Sequence, residues 1–206
     1  MKLKVCGMKH NIAEVAELKP DYLGFIFHEP SSRHFDEAIP SLPGNIQKVG
    51  VFVDESIEYV VGQIENYSLN AVQLHGHETP EYCRLVKTTG ITVIKVFSIK
   101  NEFDFSILTN YEEVCDYFLF DTNGKLPGGN GYTFDWKILQ NYPSTKPFFL
   151  SGGIGLEELE QLKKFKETTA ATYCYAIDVN SRFEIEPGLK NIEDLKKIKT
   201  SLSFRT

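Results

Sequence analysis

Eight short runs of apolar, β-branched and aromatic residues recur along the chain, most of them followed by an amphipathic stretch. They are Lys2–Cys6, Tyr22–Phe27, Lys48–Val53, Ala71–Leu74, Thr92–Phe97, Tyr117–Asp121, Phe148–Ser151 and Tyr175–Val179. Strands this apolar are covered on both faces, which is the condition of a parallel sheet with helices packed outside it. Helical spacing is visible in Ile12–Leu18, Ile57–Tyr67, Pro80–Thr88, Phe134–Leu139, Leu156–Phe165 and Ile192–Leu202. After the second and fifth strands only Asp36–Ile39 and Phe105–Tyr111 offer themselves as helices. Eight β–α units in 206 residues argue for closure into a (β/α)8 barrel with short connections, one domain spanning 1–206. An open doubly wound sheet is the structural alternative.

Composition narrows the class of function. The formal net charge is −6 and no cluster of Lys and Arg stands out, which argues against a nucleic-acid partner. No apolar run approaches the length needed to cross a membrane, and Met1–Gly7 lacks the apolar core of a signal peptide. Cys6, Cys83, Cys115 and Cys174 are far apart and never in C-x-x-C spacing, so reduced thiols in the cytoplasm are expected.

In a barrel the chemistry sits where the strands end. Here reactive side chains and glycines gather at those ends: Cys6-Gly7, Asp54, His75-Gly76, Asp121, Ser151-Gly152-Gly153 and Asp178-Val179-Asn180-Ser181. Cys6 is either a small core residue or a base, and as a base its thiolate needs help from nearby cations or a helix N-terminus. Asp121, shielded by Tyr117–Phe120, is either a loop cap or a general acid of raised pKa. The first and sixth strands lie across a barrel mouth, so Cys6 and Asp121 could reach two atoms of one substrate. The glycine-rich stretch Thr122–Tyr132 reads as a loop able to close over it.

Ser151-Gly152-Gly153 runs into a helix, and loops after strands seven and eight form the phosphate site of many barrels. Asn180 and Ser181 would complete such a site, so a small phosphorylated molecule is the expected partner. The segment does not fit G-x-G-x-x-G, so no dinucleotide is expected. His75 and His77 share a face only if the chain stays extended through Gly76, and no third ligand is suitably spaced; no metal is expected and His75 reads as a pocket residue. Arg33, after strand two, could pair with a substrate carboxylate. Lys95 inside Val93–Val96 reads as structural or solvent-facing rather than as a nucleophile.

The chain resembles the phosphoribosylanthranilate isomerase family of tryptophan biosynthesis. The resemblance rests on Lys4-Val5-Cys6-Gly7-Met8, Gly50–Val53, Val72–Gly76, Asp121 with Gly128–Gly131, Phe134–Trp136, Leu150–Ile154, and Asp178–Ser181 with Pro187-Gly188. It implies an Amadori rearrangement of N-(5-phosphoribosyl)anthranilate with no metal or organic cofactor. Asp121 would protonate the ribose ring oxygen, Cys6 would remove the C2′ proton, Arg33 would hold the anthranilate carboxylate and Asp178 would contact the sugar. The chain would be a monomer or homodimer. Ser32, Asn130 and Arg182 depart from the family pattern, which often has Pro, Ser or Thr, and Gly at those places. The rivals are another phosphosugar barrel, such as an epimerase, an aldolase or an indole-forming synthase, and a non-catalytic phosphate-ligand binding protein.

Overall fold

The structure, a computed structural model, describes residues 1–100, 102–122 and 134–203. Eight parallel strands close on themselves in chain order. They are β1 (Lys2–Val5), β2 (Tyr22–Ile26), β3 (Gln47–Phe52), β4 (Ala71–Leu74), β5 (Thr92–Ile99), β6 (Tyr117–Thr122), β7 (Phe148–Leu150) and β8 (Cys174–Val179). Closure is made by β1 against β8, with Lys2 opposite Ala176 and Val5 opposite Val179. The open-sheet alternative is thereby excluded. Around the barrel run α1 (Ile12–Glu17), α2 (Ile57–Tyr67), α3 (Pro80–Lys87), α4 (Leu159–Lys166) and α5 (Ile192–Ser203).

The helices start where the sequence supplies caps. Ser56 accepts the amide hydrogen of Tyr59 at the head of α2, and Thr79 that of Tyr82 ahead of Pro80 in α3. Three expected helices differ. Asp36–Ile39 is irregular, because residues 27–46 carry Pro30, Pro40, Pro43 and Gly44. Phe35 covers the sheet there instead, its ring 4.9 Å from that of Phe25. Phe105–Tyr111 is a 3-10 helix with only Leu108 buried, since Ser, Thr and Asn give an α-helix little support. The expected Phe134–Leu139 helix is likewise a 3-10 turn, Trp136–Asn141, capped by Asp135. The segment before α4 begins as a 3-10 turn, Leu156–Glu158. After β8 a hairpin that sequence reasoning missed, β9 (Glu184–Glu186) with β10 (Leu189–Lys190), folds back over the barrel end.

Side chains of alternate strand residues divide between two cores. Leu3, Val5, Leu23, Phe25, Val72, Leu74, Phe118 and Phe120 pack outward against the helices. Val49, Ala71, Ile94, Val96, Leu119, Phe149 and Ala176 fill the barrel's interior. Two residues further along the same inward rows come the polar side chains of the site: Gln73 after Ala71, Asp121 after Leu119, Ser151 after Phe149, Asp178 after Ala176. The two-residue period of a strand therefore builds the floor and the site from one row. Among the described residues no helix is long and apolar enough to cross a membrane.

Candidate active site

A hollow of about 720 Å³, counting the space at its mouth, opens at the C-terminal ends of the strands. All ten residues singled out from the sequence line it: Cys6, Arg33, His75, Asp121, Ser151, Gly152, Gly153, Asp178, Asn180 and Ser181. Their positions come from different strands, so the closed barrel is what brings them together.

Cys6 follows β1 with its side chain inward and buried. A Cβ on Gly24 of the neighbouring strand would come 2.9 Å from the Cys6 sulfur, so that glycine makes room for the thiol. Gly7 turns the chain at φ +70°, and a Cβ there would meet Asn180 Oδ1 at 2.5 Å. Two buried lysines that sequence reasoning missed stand near the thiol. Lys4, two residues before Cys6 on the same inward row, has its Nζ 2.9 Å from Asp178 Oδ1. Lys190, on β10, has its Nζ 2.7 Å from Glu184 Oε1 and 2.8 Å from Asn180 Oδ1. Burial pushes the Cys6 thiol up, and Asp178 adds to this; Lys4 and Lys190 pull it down without overcoming the burial. For Lys4, burial disfavours the ammonium, yet Asp178 and Cys6 together hold its pKa above the ordinary lysine value. The i, i+2 spacing of Lys4 and Cys6 was a usable signal; nothing in the sequence marks Lys190.

Across the mouth, Asp121 is buried near the end of β6. Its Oδ1 accepts the amide hydrogen of Thr122 at 2.8 Å, and its Oδ2 lies 3.2 Å from His75 Nε2. His75 Nδ1 is in turn 3.1 Å from Gln73 Nε2. Gln73 is buried and was also missed, although it shares an inward row with His75.

Asp178, buried on β8, accepts from Lys4 and from Ser151 Oγ, the latter at 3.2 Å. The turn after β7 holds Gly152 and Gly153 at φ +88° and +66°. A Cβ on Gly152 would sit 2.4 Å from Thr122 N, so the turn rests directly on the end of β6. Among the described residues the amides of Gly152 and Gly153 donate to no protein acceptor. That of Gly155 donates to Glu158 Oε2 at 2.8 Å. Arg182 neither points freely to solvent nor stands alone: its guanidinium reaches Gly153 O at 3.4 Å, Glu157 at 3.4 Å and Glu158 at 3.5 Å.

Arg33 is held by a bidentate pair, its Nε and Nη2 donating to Glu184 at 2.7–3.0 Å. Glu184 was not expected from the sequence. Burial raises its carboxyl, but hydrogen bonds from Arg33 and the Lys190 charge outweigh that and hold it below the usual range. His77 is almost fully exposed and pairs with Asp54, Nδ1 to Oδ2 at 2.9 Å, apart from His75. Among the described residues no three His, Cys, Asp or Glu side chains are grouped to hold a metal ion. Lys95 is structural and not solvent-facing: it lies behind the β4 turn, giving Nζ to Leu74 O, Gly76 O, Val96 O and Glu78 Oε2. The expected closing loop and Asn130 lie outside the described residues.

Comparison with known proteins bears on the family and the fold. A family model described as N-(5'phosphoribosyl)anthranilate (PRA) isomerase matches residues 2–201. The N-(5'-phosphoribosyl)anthranilate isomerase of Phocaeicola vulgatus is 45% identical over 193 residues, covering 93% of this chain and 92% of the relative. The crystal structure of phosphoribosyl anthranilate isomerase from Thermotoga maritima superposes with a TM-score of 0.82 at 31% identity, over 99% of this chain and 100% of the other. A phosphoribosyl anthranilate isomerase in complex with reduced 1-(o-carboxyphenylamino)-1-deoxyribulose 5-phosphate matches with a TM-score of 0.77 at 29% identity, over 99% and 100% of the two chains. On the strength of that match along nearly its whole length, the chain belongs to the N-(5'-phosphoribosyl)anthranilate isomerase family.

Proposed function

We infer that the chain catalyses the Amadori rearrangement of N-(5'-phosphoribosyl)anthranilate to 1-(o-carboxyphenylamino)-1-deoxyribulose 5-phosphate. The observation that carries the reading is the pairing of Cys6 and Asp121 on opposite sides of one hollow whose rim is a glycine turn with two amides that donate to no acceptor among the described residues.

In this reading Asp121 gives its proton to the ribose ring oxygen. The C1′–O bond breaks, its electron pair goes to that oxygen, and the anilino nitrogen forms C=N. Cys6 then takes the C2′ proton, the C–H pair becomes the C1′=C2′ bond of an enolamine, and tautomerisation gives the ketone. The anilino nitrogen is the electron source and sink, so the route calls for neither metal nor organic cofactor. The buried thiol needs a cation to ionise, and Lys4, backed by Lys190, opposes the burial that pushes the thiol up, although the net shift stays upward. The anchoring groups would be Ser151, Gly152, Gly153, Asn180 and Ser181 for phosphate, Asp178 for the sugar hydroxyls, and His75 for the pocket wall beside the ring. Arg33 would meet the anthranilate carboxylate with Nη1, which takes no part in its pair with Glu184. The four free thiols fit a reducing cytoplasm.

The test is to mix the protein with freshly prepared phosphoribosylanthranilate and follow the loss of its fluorescence in the presence of a chelator. Turnover supports the reading. Binding of the product analogue without turnover would instead favour a phosphate-ligand binding protein.

A further inference from the structure

The part of the hollow at the ends of β2 and β3 is lined by Ile26, Val51 and Val53, apolar side chains that suit an aromatic ring. Arg33, in the loop after β2, lines the same hollow. Its loop is pinned by two backbone amides, Arg33 N donating to Ser31 Oγ at 3.1 Å and Phe35 N to Ile26 O at 2.8 Å. Its stem passes close to Gly7, where a Cβ would come 2.8 Å from Arg33 Cδ.

The head of Arg33 is fixed by Glu184, a residue that is not part of the hollow's lining. Arg33 Nε donates to both carboxylate oxygens at 3.0 Å, and Nη2 donates to Oε2 at 2.7 Å. Oε1 also accepts from Lys190 Nζ at 2.7 Å and from the Gly188 amide at 3.1 Å. The Glu184 side chain is 4% exposed, so these contacts are shielded from water. A guanidinium offers two forked edges, Nε with Nη2 and Nη2 with Nη1. Glu184 takes the first. Nη1 donates to no acceptor among the described residues, so the second edge is left for a ligand.

We propose that Glu184 is a positioning residue that makes the site selective for an aromatic ring bearing a carboxylate. By holding the Nε–Nη2 edge it presents the Nη1–Nη2 edge to the substrate carboxylate as a fixed fork. The inference rests on the isomerase reading above. Glu184 never touches the substrate; it acts through Arg33. A second effect runs the other way, because its negative charge offsets Arg33 and Lys190. Were charge the main effect, removing it would tighten the binding of every anion, phosphate included. Were position the main effect, moving it would weaken the hold on the carboxylate alone. The two effects therefore predict opposite signs.

The experiment compares phosphoribosylanthranilate with the phosphoribosyl adduct of aniline, which has the same ring and sugar but no carboxyl. The central variant is Glu184→Asp, which keeps the charge and withdraws the carboxylate by one methylene. Its preference in kcat/KM for the carboxylated compound should fall about tenfold, through KM, since the carboxylate is equally charged throughout the reaction. The constants for the aniline adduct should stay within about twofold of the wild type. In an Arg33→Met background the same change should leave the preference where it is, because the two residues act as one. Equal losses on both compounds, or an unchanged preference, overturn the proposal. Glu184→Gln serves if the Asp variant misfolds by circular dichroism: its preference should fall too, and a rise would overturn the proposal in favour of charge. Misfolding of both variants makes Glu184 structural and overturns it as well. A binding arm needs no turnover. Calorimetry with reduced 1-(o-carboxyphenylamino)-1-deoxyribulose 5-phosphate and its phenylamino counterpart should show the same loss of preference in Glu184→Asp. If the wild type binds both analogues but turns over neither substrate, the isomerase reading falls and the binding arm still judges Glu184. If the wild type binds the two analogues alike, the proposal falls.

Discussion

Asp178→Asn, made in a Cys6→Ala background, should destabilise the protein by an amount that shrinks as pH rises. The wild-type ion pair is closed to water, with Lys4 0% and Asp178 4% exposed and 2.9 Å between Nζ and Oδ1. Taking away the carboxylate leaves a buried ammonium facing a neutral amide, and breaking such a pair costs about 3–5 kcal/mol. Removing Cys6 closes the alternative in which the thiol ionises to replace Asp178. The penalty has a ceiling, because Lys4 can fold neutral by releasing its proton. From the ordinary lysine value of 10.5, that release costs about 5 kcal/mol at pH 7 and about 2 kcal/mol at pH 9, at 1.36 kcal/mol per unit. Urea unfolding at the two pH values, compared with Cys6→Ala alone, reads both numbers. For a chain of this size the pH 7 penalty corresponds to a fall in Tm of about 6–20 °C. A penalty under about 1 kcal/mol at pH 7, or one that does not shrink by pH 9, would refute the argument that a buried, singly compensated lysine sits beneath the site.

Cys6→Ala alone should keep the fold and lower kcat by about 10²–10⁴-fold, the usual contribution of a general base, in a fluorescence turnover assay; the same change at Cys83, Cys115 or Cys174 should not. Gly153→Asp puts a negative side chain beside the Gly152 and Gly153 amides, so KM should rise while kcat changes little, as steady-state kinetics will report. Glu184 has a lowered carboxyl pKa in the folded protein, so its contribution to stability is full above the unfolded value and is lost as pH falls through the folded one. Chemical denaturation between about pH 5 and pH 3 should therefore show a steeper loss in the wild type than in Glu184→Gln.

The barrel and its reactive rim were legible because each strand announces itself twice, by an apolar run and by what ends it. Cys6-Gly7, Asp121 and Ser151-Gly152-Gly153 break their runs with groups that a core does not need. The connections were less legible. Prolines in residues 27–46 override the weak periodicity of Asp36–Ile39, and short polar-rich stretches such as Phe105–Tyr111 settle into 3-10 turns. Least legible were the charges beneath the site. Lys4 looks like the polar half of an alternating strand until Asp178, 174 residues away, is known to face it. Arg33 reads as a free cation because Glu184, 151 residues on, carries no local mark. Strand periodicity could still have found Lys4 and Gln73, each two residues before a residue already singled out.

The seam between β1 and β8 also sets a timetable. The ribosome adds about 5–20 residues per second, so about 9–35 s of synthesis separate Lys4 from the aspartate that will neutralise it. Through that interval an emerging chain has a reason to keep its first strand wet, since burying Lys4 without Asp178 is costly. Cys6 rides on the same strand end, two residues from Lys4. A nascent chain stopped before β8 lacks the carboxylate that offsets the burial of Lys4, so docking its opening strand, and the thiol at its end, carries that cost.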